Sequence, residues 1–271
     1  MRIISWNINQ RSGYYNRNVE IPNLVIAELT RQNADVIVLN EYKHCKSFED
    51  ILCGMGYFIL TDKNPLGNEI LIAVKKNCLN CIRSEIVYPQ NKGDNWPNFL
   101  HVEAQLYGIS VTIIGIRIRR DDFVSQFKKI KEHLNTIDKN KNVICVGDFN
   151  AWSSRIKNKY GLPDGYYILT PTVDEKAPIE LKSCFIDNDT KEMIYKQYKW
   201  SFVHENGDRS PLDHIIYKGF HEPIIDYSWK FRELQPSIYK NENGNDVYNQ
   251  YPPYPDHAIL SAIVELPIAN Q

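Results

Sequence analysis

Short apolar runs, each ending on one or two polar residues, recur along this chain. In the clearest, Val143, Ile144, Cys145 and Val146 lead into Gly147, Asp148, Phe149 and Asn150. The β-branched residues predict a buried strand, and a spacing of two places Asp148 and Asn150 on one face at its end. A strand followed by an Asx-type turn has the same pattern, so the segment draws its weight from the others. Residues 3–9 read as a strand presenting Asn7 near its end. Residues 35–41 pass through Val36, Ile37, Val38 and Leu39 to Asn40 and Glu41. A carboxylate after so apolar a run needs a cation to meet it. Asp213 stands at the mouth of another apolar run, and Asp256 and His257 open the strand 258–264.

Between these runs the period changes. Ile21, Leu24, Val25 and Leu29 fit one face of a helix ending near Asn33. A second helix starts at Asp121 and Asp122, with Phe123, Phe127, Ile130, Leu134 and Ile137 at steps of four and three. Further strands are expected at 69–74, 99–106, 111–116, 200–204 and 223–229. Residues 239–254, rich in Asn, Tyr and Pro, read as a long loop leading to Asp256. Many strands with few helices predict two packed sheets with helices on the outer faces.

Composition narrows this picture without adding chemistry. No linker-like stretch divides the 271 residues, so one domain over 1–271 is expected. The apolar runs are far shorter than the ~20 residues that span a bilayer, and residues 1–7 already read as strand, so a cytoplasmic protein without a leader is expected. Six scattered cysteines are too few for a disulfide scaffold, and Cys78 and Cys81 lack the second pair or the histidines of a zinc site. A net charge of −1 argues against broad, sequence-blind attraction to nucleic acid. Arg117, Arg119 and Arg120 nevertheless form a basic strand end. His214, adjacent to Asp213, should point to the opposite face and is read as structural.

Trp6-Asn7, Asn40-Glu41, Gly147-Asp148-Phe149-Asn150, Leu212-Asp213-His214-Ile215 and Pro255-Asp256-His257 follow one another in an order that resembles the endonuclease/exonuclease/phosphatase superfamily, the group of pancreatic DNase and the apurinic endonucleases. The resemblance runs from residue 2 to about residue 265. It implies an α/β fold, a four-layered α/β sandwich of two packed, mainly antiparallel or mixed sheets flanked by helices. It also implies metal-dependent hydrolysis of phosphodiester bonds.

Hydrolysis of an anionic ester needs a cation to neutralise charge and a base to activate water. Oxygen-rich ligation favours Mg²⁺ or Mn²⁺, with Glu41 as the first ligand and Asn7 and Asp256 in support. By resemblance, Asp148 orients or deprotonates the attacking water and Asn150 donates to the phosphate. His257 contacts the phosphoryl oxygen or acts as base, and Asp213 fixes its tautomer and favours the imidazolium. Arg117 stands where the superfamily usually carries His or Tyr; its planar fork can clamp a phosphate, which shifts that position from proton handling to charge stabilisation. Arg119, Trp152 and Ser201 are further substrate-side candidates, with Trp152 able to stack on a base and Ser201 able to support Asp148 or Asn150.

These features lead to a monomeric Mg²⁺-dependent phosphodiesterase acting on nucleic acid, DNA ahead of RNA, and not associated with a membrane. A phosphatase or phosphodiesterase acting on a small phosphorylated molecule or lipid headgroup is the alternative that the near-neutral charge favours. A catalytically inactive binding module of the same fold is the third reading.

Overall fold

The computed structural model describes residues 1–9, 21, 23–61, 69–82, 97–120, 122–171, 200–203, 209–229, 231, 238–240, 246–248, 255 and 257–267. Two six-stranded mixed sheets carry the fold. Numbered along the chain, one contains β1 (Arg2–Asn7), β2 (Val36–Tyr42), β3 (Tyr57–Thr61), β4 (Glu69–Lys75), β13 (Ile224–Ser228) and β16 (Ile259–Ile263), in the spatial order β13-β16-β1-β2-β4-β3. The other contains β5 (Leu79–Ile82), β6 (Asn98–Leu106), β7 (Ile109–Arg117), β8 (Asn142–Asp148), β9 (Tyr167–Leu169) and β12 (Asp213–Lys218), in the order β5-β6-β7-β8-β12-β9. Two short ribbons pair β10 (Phe202–Val203) with β11 (Arg209–Ser210), and β14 (Ile238–Lys240) with β15 (Asp246–Tyr248).

Helix α1 (Asn23–Gln32) and α2 (Lys46–Gly54) join the core of the first sheet through Val25, Leu29, Phe48 and Leu52. On the second sheet, α3 (Phe123–Thr136) turns Phe127, Ile130 and Leu134 onto Ile114, Ile116, Val143 and Cys145. The short α4 (Ser153–Arg155) continues into one π-helical turn that buries Ile156 on the same face. The expected four-layered sandwich is therefore the observed architecture.

The structure also departs from the pattern of the sequence. Among the described residues of the strand expected at 200–204, β10 takes Phe202 and Val203, and the loop expected over 239–254 carries part of β14 and all of β15. Helix α2 and strand β3 were not anticipated. They are short, and Phe48 and Leu52 supply only one turn of helical spacing, too little to stand out from a loop.

Both sheets bring their polar strand ends to one rim. In the first, Asn7 of β1 pairs in parallel register with Asn40 of β2. In the second, β7 and β8 are parallel and β12 runs antiparallel to β8, so the ends of β7 and β8 meet the start of β12. Close approach of the sheets depends on missing side chains. A Cβ on Gly115 would lie 2.7 Å from both Ile70 Cγ2 and Val38 Cγ1. Gly147 is more demanding: its φ is +154°, and a Cβ there would lie 1.9 Å from the Ile116 carbonyl oxygen.

Gly147→Ala must therefore move the strand end that carries Asp148. The expected result is a loss of roughly 3 kcal/mol in unfolding free energy, read from the urea midpoint at unchanged slope. An alanine variant as stable as the parent would show that the strand end can relax.

Candidate active site

Register alone lines up the charged residues of the second sheet. Arg117 of β7 and Asp213 of β12 are both direct partners of Asp148 on β8, so the three side chains share a face. That face meets the first sheet, where Asn7 and Glu41 stand. Two links cross the gap: the Asn7 amide nitrogen donates to Asp148 Oδ2 at 3.0 Å, and Arg117 Nη2 lies 2.5 Å from Glu41 Oε1.

Glu41 reaches this point through an irregular backbone. The pairing of β2 with β4 shifts register between Leu39 and Tyr42, and Glu41 has a φ of +54°. A bulge of this kind re-aims one side chain within a strand, which simple alternation cannot anticipate. Glu41 Oε1 accepts from Asn7 Nδ2 at 3.2 Å as well as from Arg117. Its Oε2 is buried and has no hydrogen-bond partner among the described residues.

Asp148 is clasped at both oxygens. Oδ1 accepts the backbone N–H of Asn150 at 2.8 Å, and Oδ2 accepts from the side-chain amides of Asn150, at 2.9 Å, and Asn7. Asn150 adopts a left-handed φ of +49°, a conformation Asn tolerates better than most residues, and this folds its amide back onto Asp148. Burial lifts the Asp148 carboxyl to about 6; His257, Arg117 and the Asn150 N–H pull it down, while Asp213 pushes it up. The carboxyl is thus poised closer to neutrality than an exposed aspartate.

His257 Nδ1 lies 2.8 Å from Asp213 Oδ2. The carboxylate can only accept, so Nδ1 carries the proton and the tautomer is set. The backbone around the pair is also anchored: Trp6 Nε1 donates to the His257 carbonyl at 2.9 Å, and the Tyr227 hydroxyl donates to the Asp213 carbonyl. Burial raises the Tyr227 hydroxyl well above its ordinary pKa, which keeps it a donor. Phe202 lies against the His257 ring, with centroids 4.7 Å apart, and the Arg120 guanidinium sits 5.7 Å above Phe202.

The structure thus brings together Asn7, Glu41, Arg117, Asp148, Asn150, Asp213 and His257. Asp256 lies outside the described residues. Ser201 corrects one expectation: its hydroxyl accepts the backbone N–H groups of Leu212 and Asp213, at 2.7 and 3.0 Å, and so braces the start of β12 and not Asp148 or Asn150. Arg119 is tied by its backbone N–H to Gln126 of α3, and it is Arg120 whose Nε reaches Asn150 Oδ1, at 3.4 Å. Alternation would have put Arg119 beside Arg117, but β7 ends at Arg117 and the period of two ends with it. Trp152 is 46% exposed next to the cluster and meets Trp200 edge-on at 6.0 Å.

His214 is buried between Thr170 Oγ1, 2.8 Å from Nδ1, and the Ala151 carbonyl, 2.6 Å from Nε2. Burial lowers its pKa to about 4. The unfolded imidazole takes up a proton first as pH falls, so the folded state holds full stability above about 6.5 and loses it toward 4. We expect the unfolding free energy to fall across that window, and His214→Gln to flatten the slope by up to about 1.4 kcal/mol per pH unit. Unfolding curves recorded from pH 7 to pH 4.5 check this; identical slopes in both proteins would contradict it.

An oxygen-seeking divalent cation fits the donor set. Glu41 Oε2 and Asp213 Oδ1 are buried acceptors without a hydrogen-bond partner among the described residues, an arrangement that is costly unless something positive meets them. Asp148, Asp213 and His257 also offer ligand atoms within 4.8 Å of one another and could hold a metal. There, however, His257 Nδ1 is already bonded to Asp213 and both Asp148 oxygens are occupied, whereas Glu41 Oε2 needs no bond broken. Asn7 turns its nitrogen to the carboxylates and gives its oxygen to the Asn9 N–H at 3.0 Å, so here it serves as a donor and not as an oxygen ligand.

No protein-family model matches the chain, and no curated protein matches its sequence. Solved structures do resemble it. Truncated TDP2 from Caenorhabditis elegans is 15% identical, with 97% of this chain and 96% of that one covered and a TM-score of 0.64. TDP2 from D. rerio complexed with single strand DNA product is 14% identical, covering 98% and 99%, with a TM-score of 0.61. The human Nocturnin catalytic domain with bound sulfate is 14% identical, covering 97% and 93%, with a TM-score of 0.56. The shared fold is the DNase I-like α/β sandwich, the architecture that the order of motifs implies.

Proposed function

We propose that this protein is a divalent-cation-dependent phosphodiesterase acting on nucleic acid, with DNA ahead of RNA. The observation that carries the reading is the buried cluster at the sheet rim, in which Asp148, held by Asn7 and Asn150, stands beside an oriented Asp213–His257 pair. A hydrolase site needs a base, an oriented imidazole and cationic charge near an anionic ester, and this cluster supplies each.

In this reading Asp148 accepts the proton of the attacking water, and the two asparagine amides fix the direction of its oxygens. Its position near neutrality suits a base that must be ionised at working pH and still hold a proton. In its protonated form His257 donates from Nε2 to the phosphoryl oxygen, with Asp213 accepting from Nδ1. Arg117 and Arg120 meet the remaining phosphate oxygens, while Asn150, whose amide donates to both Asp148 Oδ2 and the Ile118 carbonyl, positions Asp148. Glu41 would hold Mg²⁺ or Mn²⁺, which would supply charge neutralisation beside the ester.

Two observations favour a nucleic acid. Trp152 and Trp200 form a half-exposed aromatic edge beside Asn150, suited to stacking a base next to its phosphate. The D. rerio structure of the same fold was solved with a single strand DNA product. The net charge of −1 favours the small-ester alternative, because long polymer tracks are usually basic. An inactive binding module is disfavoured, since the buried carboxylates of Glu41, Asp148 and Asp213 around one rim are only partly offset by Arg117.

Initial rates on single-stranded DNA, duplex DNA, RNA and p-nitrophenyl phosphoesters, with Mn²⁺ present, test the substrate class. We expect cleavage of single-stranded DNA at kcat/KM at least about tenfold above the small esters, and a loss of that preference in Trp152→Ala. Faster turnover of the small esters, unaffected by Trp152→Ala, would establish the alternative.

A further inference from the structure

We propose that Arg117 is a built-in counter-cation for Glu41, and that its charge holds down the affinity of this site for a divalent ion. The inference rests on the metal-dependent reading above and concerns what this chain places around the ion. Arg117 is the second-sheet partner of Asp148 in register, yet its Nη2 crosses the gap between sheets to lie 2.5 Å from Glu41 Oε1. Both residues are largely buried, so water screens the pair weakly. The guanidinium therefore does in the protein alone what a bound cation would otherwise do: it neutralises a carboxylate that keeps one oxygen, Oε2, without a hydrogen-bond partner among the described residues.

The pairing is incomplete on both sides. Glu41 Oε2 has no hydrogen-bond partner among the described residues, and neither has Arg117 Nε, which lies 3.9 Å from Asp148 Oδ2. A buried acceptor and a buried donor are thus left unsatisfied within one contact. An ion on Glu41 Oε2 would satisfy the acceptor but would share its carboxylate with a fixed positive charge. The described groups around that position are Glu41, Asp148 and Asp213 on the acidic side, with Arg117 and His257 opposing them. Arg117 removes one negative charge from the balance that attracts the ion. It leaves its own Nε–H turned to an acceptor it does not reach, the kind of donor that an incoming phosphate oxygen can fill.

Arg117 thus trades metal affinity for anion affinity. A neutral side chain at 117 should tighten metal binding, and a lysine, which keeps the charge, should not. The size of the effect follows from removing a full charge a few ångströms from a divalent ion in a poorly screened site, where a tenfold change is a modest expectation.

Isothermal titration with Mn²⁺ alone, on the metal-stripped protein, tests this directly without any substrate. The expected result is that Arg117→Met binds Mn²⁺ at least tenfold more tightly than the parent, that Arg117→Lys stays within about threefold of it, and that adding Glu41→Gln to Arg117→Met removes the gain. Metal-free Arg117→Met should also melt at a lower temperature than the parent and recover on Mn²⁺ addition, because it leaves Glu41 unpaired. Mn²⁺ affinity in Arg117→Met equal to or weaker than that of the parent would overturn the proposal while leaving the metal-dependent reading intact. Absence of Mn²⁺ binding in the parent and in every variant would overturn both. Arg117→Lys binding as tightly as Arg117→Met would show that geometry and not charge sets the affinity, and would overturn the proposal too.

Discussion

Asp213→Asn should lower kcat at least about a hundredfold while KM changes little, since the Asp213–His257 bond orients a group that matters most in the transition state. The asparagine keeps the volume and the backbone anchors: Ser201 still accepts the N–H groups at 212 and 213, and Tyr227 still donates to the 213 carbonyl. What changes is the acceptor at 2.8 Å from His257 Nδ1. An amide can turn its nitrogen toward the ring and favour the opposite tautomer. Steady-state kinetics at saturating Mn²⁺, with a thermal melt to show that the variant is folded, give the answer. A variant with parental kcat would show that the Asp213–His257 bond does not contribute to turnover.

The other large effect is expected at Glu41. Glu41→Gln keeps an acceptor for Asn7 and Arg117 but removes the charge that a cation meets at Oε2. We expect Mn²⁺-supported turnover to fall by roughly a thousandfold, in line with the several kcal/mol that a bound cation contributes to phosphoryl chemistry. Very high Mn²⁺ should restore only part of it. Full recovery at ordinary Mn²⁺ would place the ion elsewhere, with the Asp148, Asp213 and His257 group as the position to examine next.

Much of this site was legible from the sequence because its residues end regular strands. Asp148, Asp213 and Arg117 occupy neighbouring register positions, so apolar runs with polar ends sufficed to find them. The two long amphipathic helices, α1 and α3, were equally plain from their spacing. What the sequence could not show depends on irregular backbone or on chain segments far apart. The bulge that aims Glu41, the left-handed turn that folds Asn150 onto Asp148 and the end of β7 that puts Arg120 beside Asn150 all break the period on which such reading relies. Ser201 is expected to support Asp148 or Asn150, but its partners are the backbone of β12, and no local pattern states that. The pairing of Arg117 with Glu41 joins two sheets whose face-to-face packing only the fold supplies.

The pattern of burial also explains why the site is held so firmly. Asn7, Glu41, Asp148, Asp213 and His257 are all buried, and each is fixed by strand pairing or by a side-chain hydrogen bond. A cluster of this kind needs no large rearrangement to bind an ion, so chelation should act on activity far more than on folding.

The most direct test of the central claim is therefore turnover of a single-stranded DNA substrate by protein stripped with EDTA, followed by titration with Mg²⁺ and with Mn²⁺. The account predicts no measurable cleavage in EDTA, saturable recovery with either ion, and no recovery in Asp148→Asn. Full activity in excess EDTA, with elemental analysis showing no retained metal, would contradict it.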